Sequence, residues 1–571
     1  MGAVSDLALP HTRHFSSPHG VVPRTQLLSN GRHAVMITAA GSGYSRWQDL
    51  AITRWREDAT RDDTWSYILL RDVASGERWS AGFEPSLVPP ESYKVSFSEH
   101  VAVFIRRDGT ITTRLEVVVS WEDDAEVRQL SLTNHGLRTR DIEVTSHAEI
   151  VLAPAAADAA HPAFSSLFIQ TEGIPVRQTL LATRRRQAPN DAEIWLAHVL
   201  AVDGETIGEL EWETDRGQFL GRGRGIHDPF AVTDAVHLSN AVGSVLDPII
   251  TLRRRVRVHP GQTVRLAFST MVAPSRDAVL DLARRYGDIT TFARIATVAG
   301  TRAHEQLLQL GIAPEDASLF QELSGVILFA NRSLRAPADV LARQVAGVEA
   351  LWAHKISGDQ PIVLVEIDEA DDIGIVRELL LGQVYWRTKR LAVDLVILNA
   401  RQPSDAQELQ TLLEALVQTS QPTQRPDGSE SQGNAFALRA DRVTAAQRDV
   451  LMSVARAQFS SRRGTLAEQL ACCNCADDAT VTAPRPHPTQ VTTAPALAKL
   501  PPALEFFNGL GGFDADGREY MITLRAGQWT PAPWSRSGTA TTWPASRSPW
   551  PRTSASTGAA RSTNRPAACA T

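Results

Sequence analysis

From about residue 28 to residue 272 the chain reads as one short alternating run after another, and this pattern limits the fold more than any other feature. "HAVMITA", "YKVSFSE", "HVAVFIRR", "ITTRLEVVVSW", "VRQLSLTNHG", "DIEVTSHAEIVL" and "EIWLAHVLAV" are separated by Gly, Asp, Asn or Pro. In "TTRLEVVVSW" and "LRRRVRVH" apolar side chains alternate, Leu115, Val117 and Val119 in one and Leu252, Val256 and Val258 in the other, as in a strand with one face on a core. "RRDGT" (Arg106 to Thr110) and "VHPGQT" (Val258 to Thr263) carry turn chemistry, and each is read as the bend of a hairpin. So many strands with almost no helix between them predict a large antiparallel sandwich over 28–274, behind an N-terminal extension at 1–27.

The period then changes. "SRDAVLDLARRYGD" opens on Ser275 as an N-cap. "TRAHEQLLQLGI", "PEDASLFQELSGVILFANRSL" and "APADVLARQVAGVEALWAHK" follow at helical spacing, a connector over 275–357. "QPIVLVEID" and "AVDLVILNA" are continuous apolar runs of the buried-strand kind, alternating with helical stretches. Residues 358–465 are therefore a small parallel α/β module. The turn after its first strand, "EIDEADDIG", holds five carboxylates and no Gly-rich cradle, so a bound phosphate would meet repulsion there. Residues 466–503, rich in Pro and Thr, read as a linker. The fold class is mainly β with α and α/β parts.

The 571 residues carry a formal net charge of −6 and no basic stripe, which excludes a nucleic-acid partner. No run of 18 apolar residues is present and the first residues lack the pattern of a secretion signal, so a cytoplasmic chain is expected. Cys472, Cys473, Cys475 and Cys569 cannot supply four tetrahedral ligands, and neither metal nor cofactor is expected.

The densest mixture of aromatic and charged residues is "GSGYSRWQDLAITRWREDATRDDTW", Gly41 to Trp65, read as a loop. Tyr44, Arg46, Trp47, Arg54, Trp55, Arg56 and Asp58 are its candidate carbohydrate-binding residues. Aromatic faces can cover the C–H surface of a sugar while Arg and Asp bond its hydroxyls; the same residues can equally hold an ordered loop by Trp packing and ion pairs. Asp58 with Asp62 or Asp63 could flank a glycosidic bond at the required separation of about 5–10 Å.

"HTRHFSSPHGVVPRTQLLSNGRHAVMITAAGSGYSRWQDLAITRWREDATRDD", "LWAHKISGDQPIVLV" and "LEFFNGLGGFDADGREYMITLRAGQWTPAPW" resemble the phosphorylase-like region of bacterial cyclic β-1,2-glucan synthases. That region belongs to glycoside hydrolase family 94, formerly glycosyltransferase family 36. The resemblance implies a galactose-mutarotase-like supersandwich and a β-linked gluco-oligosaccharide, β-1,2-glucan above all, as partner. It also implies inverting phosphorolysis, with inorganic phosphate a partner of the complete enzyme only, and full-length relatives associated with the inner membrane.

In that family a second supersandwich precedes a helical barrel that carries the catalytic Asp. Here the unit "SNGRHAVMIT" recurs as "DADGREYMIT", so residues 504–534 read as the start of a second sandwich. From Arg536 on there is no Asp, Glu, Lys, Leu, Ile, Val or Phe, and 535–571 is expected to be a disordered, out-of-frame tail. No segment matches the barrel, so no catalytic residue is assigned. The expectation is a truncated piece, inactive alone, with the sandwich contacting glycan. The alternative is a stand-alone carbohydrate-binding or docking module, docking onto other synthase domains or onto a second copy as a homodimer.

Overall fold

The computed structural model describes residues 11–20, 22–58, 66–186, 188, 193–343, 346–402, 406–420, 433–471, 504–507, 511–513, 520–523, 553–556 and 559–562. It divides into two units, Met1–Val481 and Thr482–Thr571.

The first unit opens with β1 (Arg13–Phe15), β2 (Thr25–Ser29), β3 (His33–Thr38), β4 (Gly43–Trp47), β5 (Leu50–Thr53) and β6 (Ser66–Asp72). β7 (Arg78–Ser80), β8 (Ser92–Phe97), β9 (Val101–Asp108), β10 (Ile111–Val119), β11 (Ala125–Asn134) and β12 (Arg140–Pro154) follow. Then come β13 (Ile169–Ile174), β14 (Thr179–Arg184), β15 (Trp195–Asp203), β16 (Glu205–Asp215), β17 (Pro248–Val258) and β18 (Thr263–Ala273). One sheet has the order β1-β8-β9-β10-β11-β18-β15-β14-β13 and the other β16-β17-β12-β5-β4-β3-β2. β12, 15 residues long, pairs with β6 over its first half and β5 over its second, while β17 runs along its other edge. Phe97, Phe104, Leu115, Val117, Leu130, Ile142, Val144 and Leu252 from the two sheets meet in one buried core. Each such side chain contributes about 1.5–3 kcal/mol on leaving water. The large antiparallel sandwich is as the alternation predicts.

"RRDGT" is the predicted hairpin: Asp108 pairs with Ile111 across Gly109, whose φ of 56° suits a tight turn. "VHPGQT" is not. β17 lies in one sheet and β18 in the other, so Val258–Thr263 arches across the core. Gly261 (φ 70°) donates its N–H to the Asn134 carbonyl at the neighbouring turn. Turn residues encode a reversal, but not the strand that each arm then joins. β1 also corrects the boundary at 27, since Arg13 pairs with Phe97 and brings part of the extension into the first sheet. Three residues are too few to show a period.

The segment read as a loop forms strands instead: Gly41 to Thr53 includes β4 and β5. β4 shows no polar–apolar alternation because both of its faces are covered. Trp47 enters the sandwich core, and Tyr44, with Leu27 and Met36, enters a second core built by helices outside the sandwich. Gly43 is obligatory there: a Cβ would lie 1.8 Å from the Met36 carbonyl oxygen, at φ 157°.

Four short helices, α1 (Ala155–Ala160), α2 (Pro162–Ser166), α3 (Arg216–Leu220) and α4 (Phe230–Thr233), interrupt the sandwich. The connector holds α5 (Arg276–Tyr286), α6 (Thr291–Leu310), α7 (Pro314–Phe329) and α8 (Ala338–Arg343). Ser275 caps α5 as predicted, its hydroxyl accepting from Ala278 N–H at 3.2 Å. Val279, Leu282 and Tyr286 of α5 bury against Ala197, Val199 and Met271 on the outer face of the first sheet.

The module runs β19 (Ile362–Ile367), α9 (Ile373–Thr388), β20 (Asp394–Asn399), α10 (Ala406–Ser420), β21 (Ala435–Arg439), α11 (Ala445–Val454) and β22 (Ala457–Ser460). Its strands are parallel in the order β21-β20-β19-β22. Val363, Val365 and Ile397 face α9 and α10, while Leu364, Val396 and Leu398 face α11, so both strand faces are apolar and the runs are continuous. β22, only four residues long, replaces the end of a stretch read as helical, Thr444 to Ser460, and Leu466 and Leu470, buried in the core of the module, correct the linker boundary at 466.

The second unit contains β23 (Gly511–Phe513), β24 (Tyr520–Thr523), β25 (Thr553–Ser556) and β26 (Ala559–Ser562) in the antiparallel order β23-β24-β26-β25. Two of these strands come from the tail expected to be disordered. Backbone pairing, which needs no apolar side chain, accounts for this. The cysteines, Asp62, Asp63 and Trp65 lie outside the described residues.

Candidate functional site

The candidate residues divide between two faces and one edge. Trp47 and Leu50 pair across a two-residue turn, Gln48-Asp49, so side chains along β4 alternate from a fixed point. Trp47 points into the sandwich and its Nε1 donates to Asp124 Oδ2 at 2.8 Å. Tyr44 and Arg46 point the other way, with the Arg46 guanidinium 5.8 Å above the Tyr44 ring. Tyr44 meets Trp55 edge-on at 5.4 Å, and Trp55 meets Phe329 of α7 at 6.1 Å. These rings form a spine between the sandwich and the connector. Burial pushes the Tyr44 hydroxyl up. Tyr44 and Trp47 are buried, Trp55 half-buried, and Arg56 and Asp58 exposed. Glu57 between them accepts an ion pair from Arg456 Nη2 at 2.7 Å, and Asp49 one from Arg390 at 2.9 Å, so the segment is tied to the α/β module as well.

Arg54, one residue beyond β5, is the centre of an ionic cluster. Its Nε and Nη2 donate to both oxygens of Asp158 on α1, each at 3.0 Å, and Nη1 donates to Glu149 Oε2 on β12 at 2.9 Å. Nη2 also reaches Ser166 Oγ on α2 at 3.3 Å. Arg216, opening α3, donates to the other Glu149 oxygen at 2.6 Å and to Asp247 at 3.3 Å. Burial opposes ionisation of Glu149, yet the guanidiniums of Arg216 and Arg54 outweigh it and hold its carboxyl below the usual range. Such a carboxylate is ionised at neutral pH and cannot act as the proton donor that glycoside cleavage needs. The carboxyls that burial pushes up, Glu378 on α9 and Asp394 at the start of β20, belong to the α/β module.

Ser45, His33 and Glu126 have the residue types of a nucleophile, base and acid, but not their geometry. Ser45 Oγ is 3.1 Å and Glu126 Oε2 3.8 Å from the same His33 nitrogen, Nε2, and all three are buried. A catalytic acid would have to hold the other ring nitrogen. Among the described residues no group of three His, Cys, Asp or Glu side chains is placed to hold a metal ion.

The structure thus brings Tyr44, Arg46 and Trp55 together, sets Trp47 on the opposite face, and joins Arg54 to four partners that sequence reading missed: Glu149, Asp158, Ser166 and, at 3.6 Å, Asp247. One signal was available. Asp141, Glu143, Thr145, His147 and Glu149 stand at every second position of β12, a polar row opposite Ile142, Val144 and Ala148 of the core.

Residues 10–289 match the glycosyl hydrolase 94 supersandwich domain. The chain is similar to a cyclic β-(1,2)-glucan synthase, NdvB, of Rhizobium meliloti (strain 1021), 37% identical over 539 residues, which are 93% of this chain and 19% of that protein. It is also similar to the N,N'-diacetylchitobiose phosphorylases of Vibrio proteolyticus and Vibrio furnissii. Each is 22% identical, over 44% and 51% of this chain and 31% and 35% of theirs. The chain therefore spans about a fifth to a third of the length of these relatives. Among the described residues no helix is long and apolar enough to cross a membrane.

Proposed function

We propose that this chain, whose residues 10–289 match the glycosyl hydrolase 94 supersandwich domain, serves β-glucan metabolism as a glycan-contacting part of a cyclic β-1,2-glucan synthase or related phosphorylase. The 37% identity over 93% of the chain to a synthase carries this reading. In it, Tyr44, Arg46, Trp47 and Arg54 brace the segment, and Trp55, Arg56 and Asp58 meet the sugar at its edge. Glycosyl transfer is the work of a larger protein, and inorganic phosphate a partner of that protein only.

Titration calorimetry of the chain with β-1,2-gluco-oligosaccharide tests this reading. Arg56→Ala, an exposed change that leaves the core alone, removes a charged hydrogen bond and should weaken binding about fivefold to tenfold. Unchanged affinity in Arg56→Ala and in Asp58→Asn would reject the segment as the contact.

We further propose that the 571-residue chain releases no glucose 1-phosphate from β-1,2-gluco-oligosaccharide and phosphate, since Glu149, held ionised by the guanidiniums of Arg216 and Arg54, has no proton to donate to a leaving group. Measurable turnover by the purified chain refutes this. One observation favours the second reading, a binding or docking module without catalysis. Tyr44 and Trp55 are spent on α7, and Asp49 and Glu57 on the α/β module, so much of the segment joins parts of the chain.

A further inference from the structure

A cavity of about 430 Å³ opens on the outer face of the second sheet, away from the Tyr44–Asp58 segment in the chain. Its floor is Glu143 of β12 and Arg255 of β17, joined at 2.6 Å. Its walls are the start of β16 and the stretch His237 to Asn240.

The recess has a local cause. β16 loses register with β17 between Ile207 and Glu211, and Gly208 sits at φ 71°, so the strand bulges away from its neighbour. The opposite wall is strapped down. Glu211 accepts from Leu238 N–H at 3.0 Å, and Trp212 and Asn240 exchange two hydrogen bonds, N–H to Oδ1 at 2.8 Å and N–H to carbonyl at 3.0 Å. The cavity is thus preformed.

We propose that this cavity is a binding site for a neutral, polyhydroxylated ligand of disaccharide size. Its volume lies in the usual range for small-molecule sites. Two guanidiniums, Arg253 and Arg255, face three carboxylates, Glu143, Glu209 and Glu211, so an anion meets acceptors that repel it and a cation meets fixed positive charge. A neutral ligand with adjacent hydroxyls suits both signs, since each hydroxyl donates to a carboxylate and accepts from a guanidinium or amide.

Arg253 is spent on the protein, donating to Thr145 Oγ1 and to the Val236 and Ala231 carbonyls at 2.7–3.0 Å. Arg255 gives Nη2 to Glu143, and its guanidinium lines the cavity together with Glu209 and Asn240, whose Oδ1 is taken by Trp212 N–H. Ile207, half-buried, supplies apolar surface for the C–H side of a sugar ring. The site stands on its own geometry. The identity of the sugar, a β-linked glucose disaccharide, rests on the proposed glycan role.

The test is hydrogen exchange and calorimetry on the full chain with the β-1,2-linked glucose disaccharide. Protection of amides at 207–211 and 237–240 is expected. The Glu209→Ala variant, which alters one exposed side chain, should weaken binding about fivefold, with thermal unfolding unchanged. Undiminished affinity in that variant, with protection confined to 41–58, overturns the cavity and leaves the segment standing. Protection confined to the cavity supports it and rejects the segment. No heat and no protection anywhere overturns both.

Discussion

Arg54→Met should lower the unfolding free energy of the first unit by about 3–5 kcal/mol, the range for removing one partner of a buried ion pair. The substitution keeps an unbranched apolar stem and deletes the charge alone. Asp158 then loses its bidentate partner, and Glu149 keeps only Arg216. Asp158 is 6% exposed, so water cannot replace what the guanidinium supplied. The cost falls on the junction of β5, β12, α1 and α2, because Arg54 bonds to all but its own strand. Urea denaturation at pH 7, wild type against variant, checks this. A loss under about 1 kcal/mol at pH 7 would mean that the cluster behaves as a surface ion pair.

The second large effect is a loss of stability in mild acid carried by two histidines. His147 stacks on Phe219 at 4.8 Å. His198 is bonded by Ser146 and Thr270 hydroxyls, both at 2.9 Å. Burial pushes each imidazole down to about 4; the field of Glu149 works against this at His147, and that of Arg128 adds to it at His198.

The folded chain therefore holds both rings neutral where the unfolded chain protonates them. Their contribution is complete above the unfolded value near 6.5 and declines as the pH falls from there towards 4. For the two together the loss between pH 6.5 and 5 is about 3 kcal/mol. Carboxylates held low by partners, such as Glu126 at about 2, add their own loss only below about pH 5; in the upper window His100, also pushed down by burial, adds to the loss, and Glu378 and Asp394, pushed up by burial, offset part of it. Chemical denaturation across pH 5–7 measures the slope. A His198→Gln chain should show about half of it, and a flat wild-type profile would contradict the assignment.

Several elements were readable in the sequence because their cause is local. The Asp108-Gly109 turn is flanked by alternating runs, and β9 and β10 pair across it. Ser275 stands three residues before the N–H that it caps. The apolar runs of β19 and β20 are buried on two faces, as their composition requires. At the candidate site the same reading found Arg54 and the Tyr44–Trp55 pair, which are near neighbours in the chain. It missed Glu149, Asp158, Ser166, Arg216 and Asp247, which lie 95 to 193 residues from Arg54.

The sequence by itself determined the periods, the caps and the reversals: an antiparallel sandwich, a helical connector and a parallel module, in that order. Each depends on the φ preferences and side-chain alternation of a few adjacent residues. Only the tertiary structure decided which sheet β17 and β18 join, why the polar–aromatic segment is two strands, and which charged groups gather around Arg54. Those outcomes depend on which faces end up covered. β4 loses its alternation because α7 lies on its outer side, and Arg54 keeps its charge because carboxylates from distant elements converge where water is excluded.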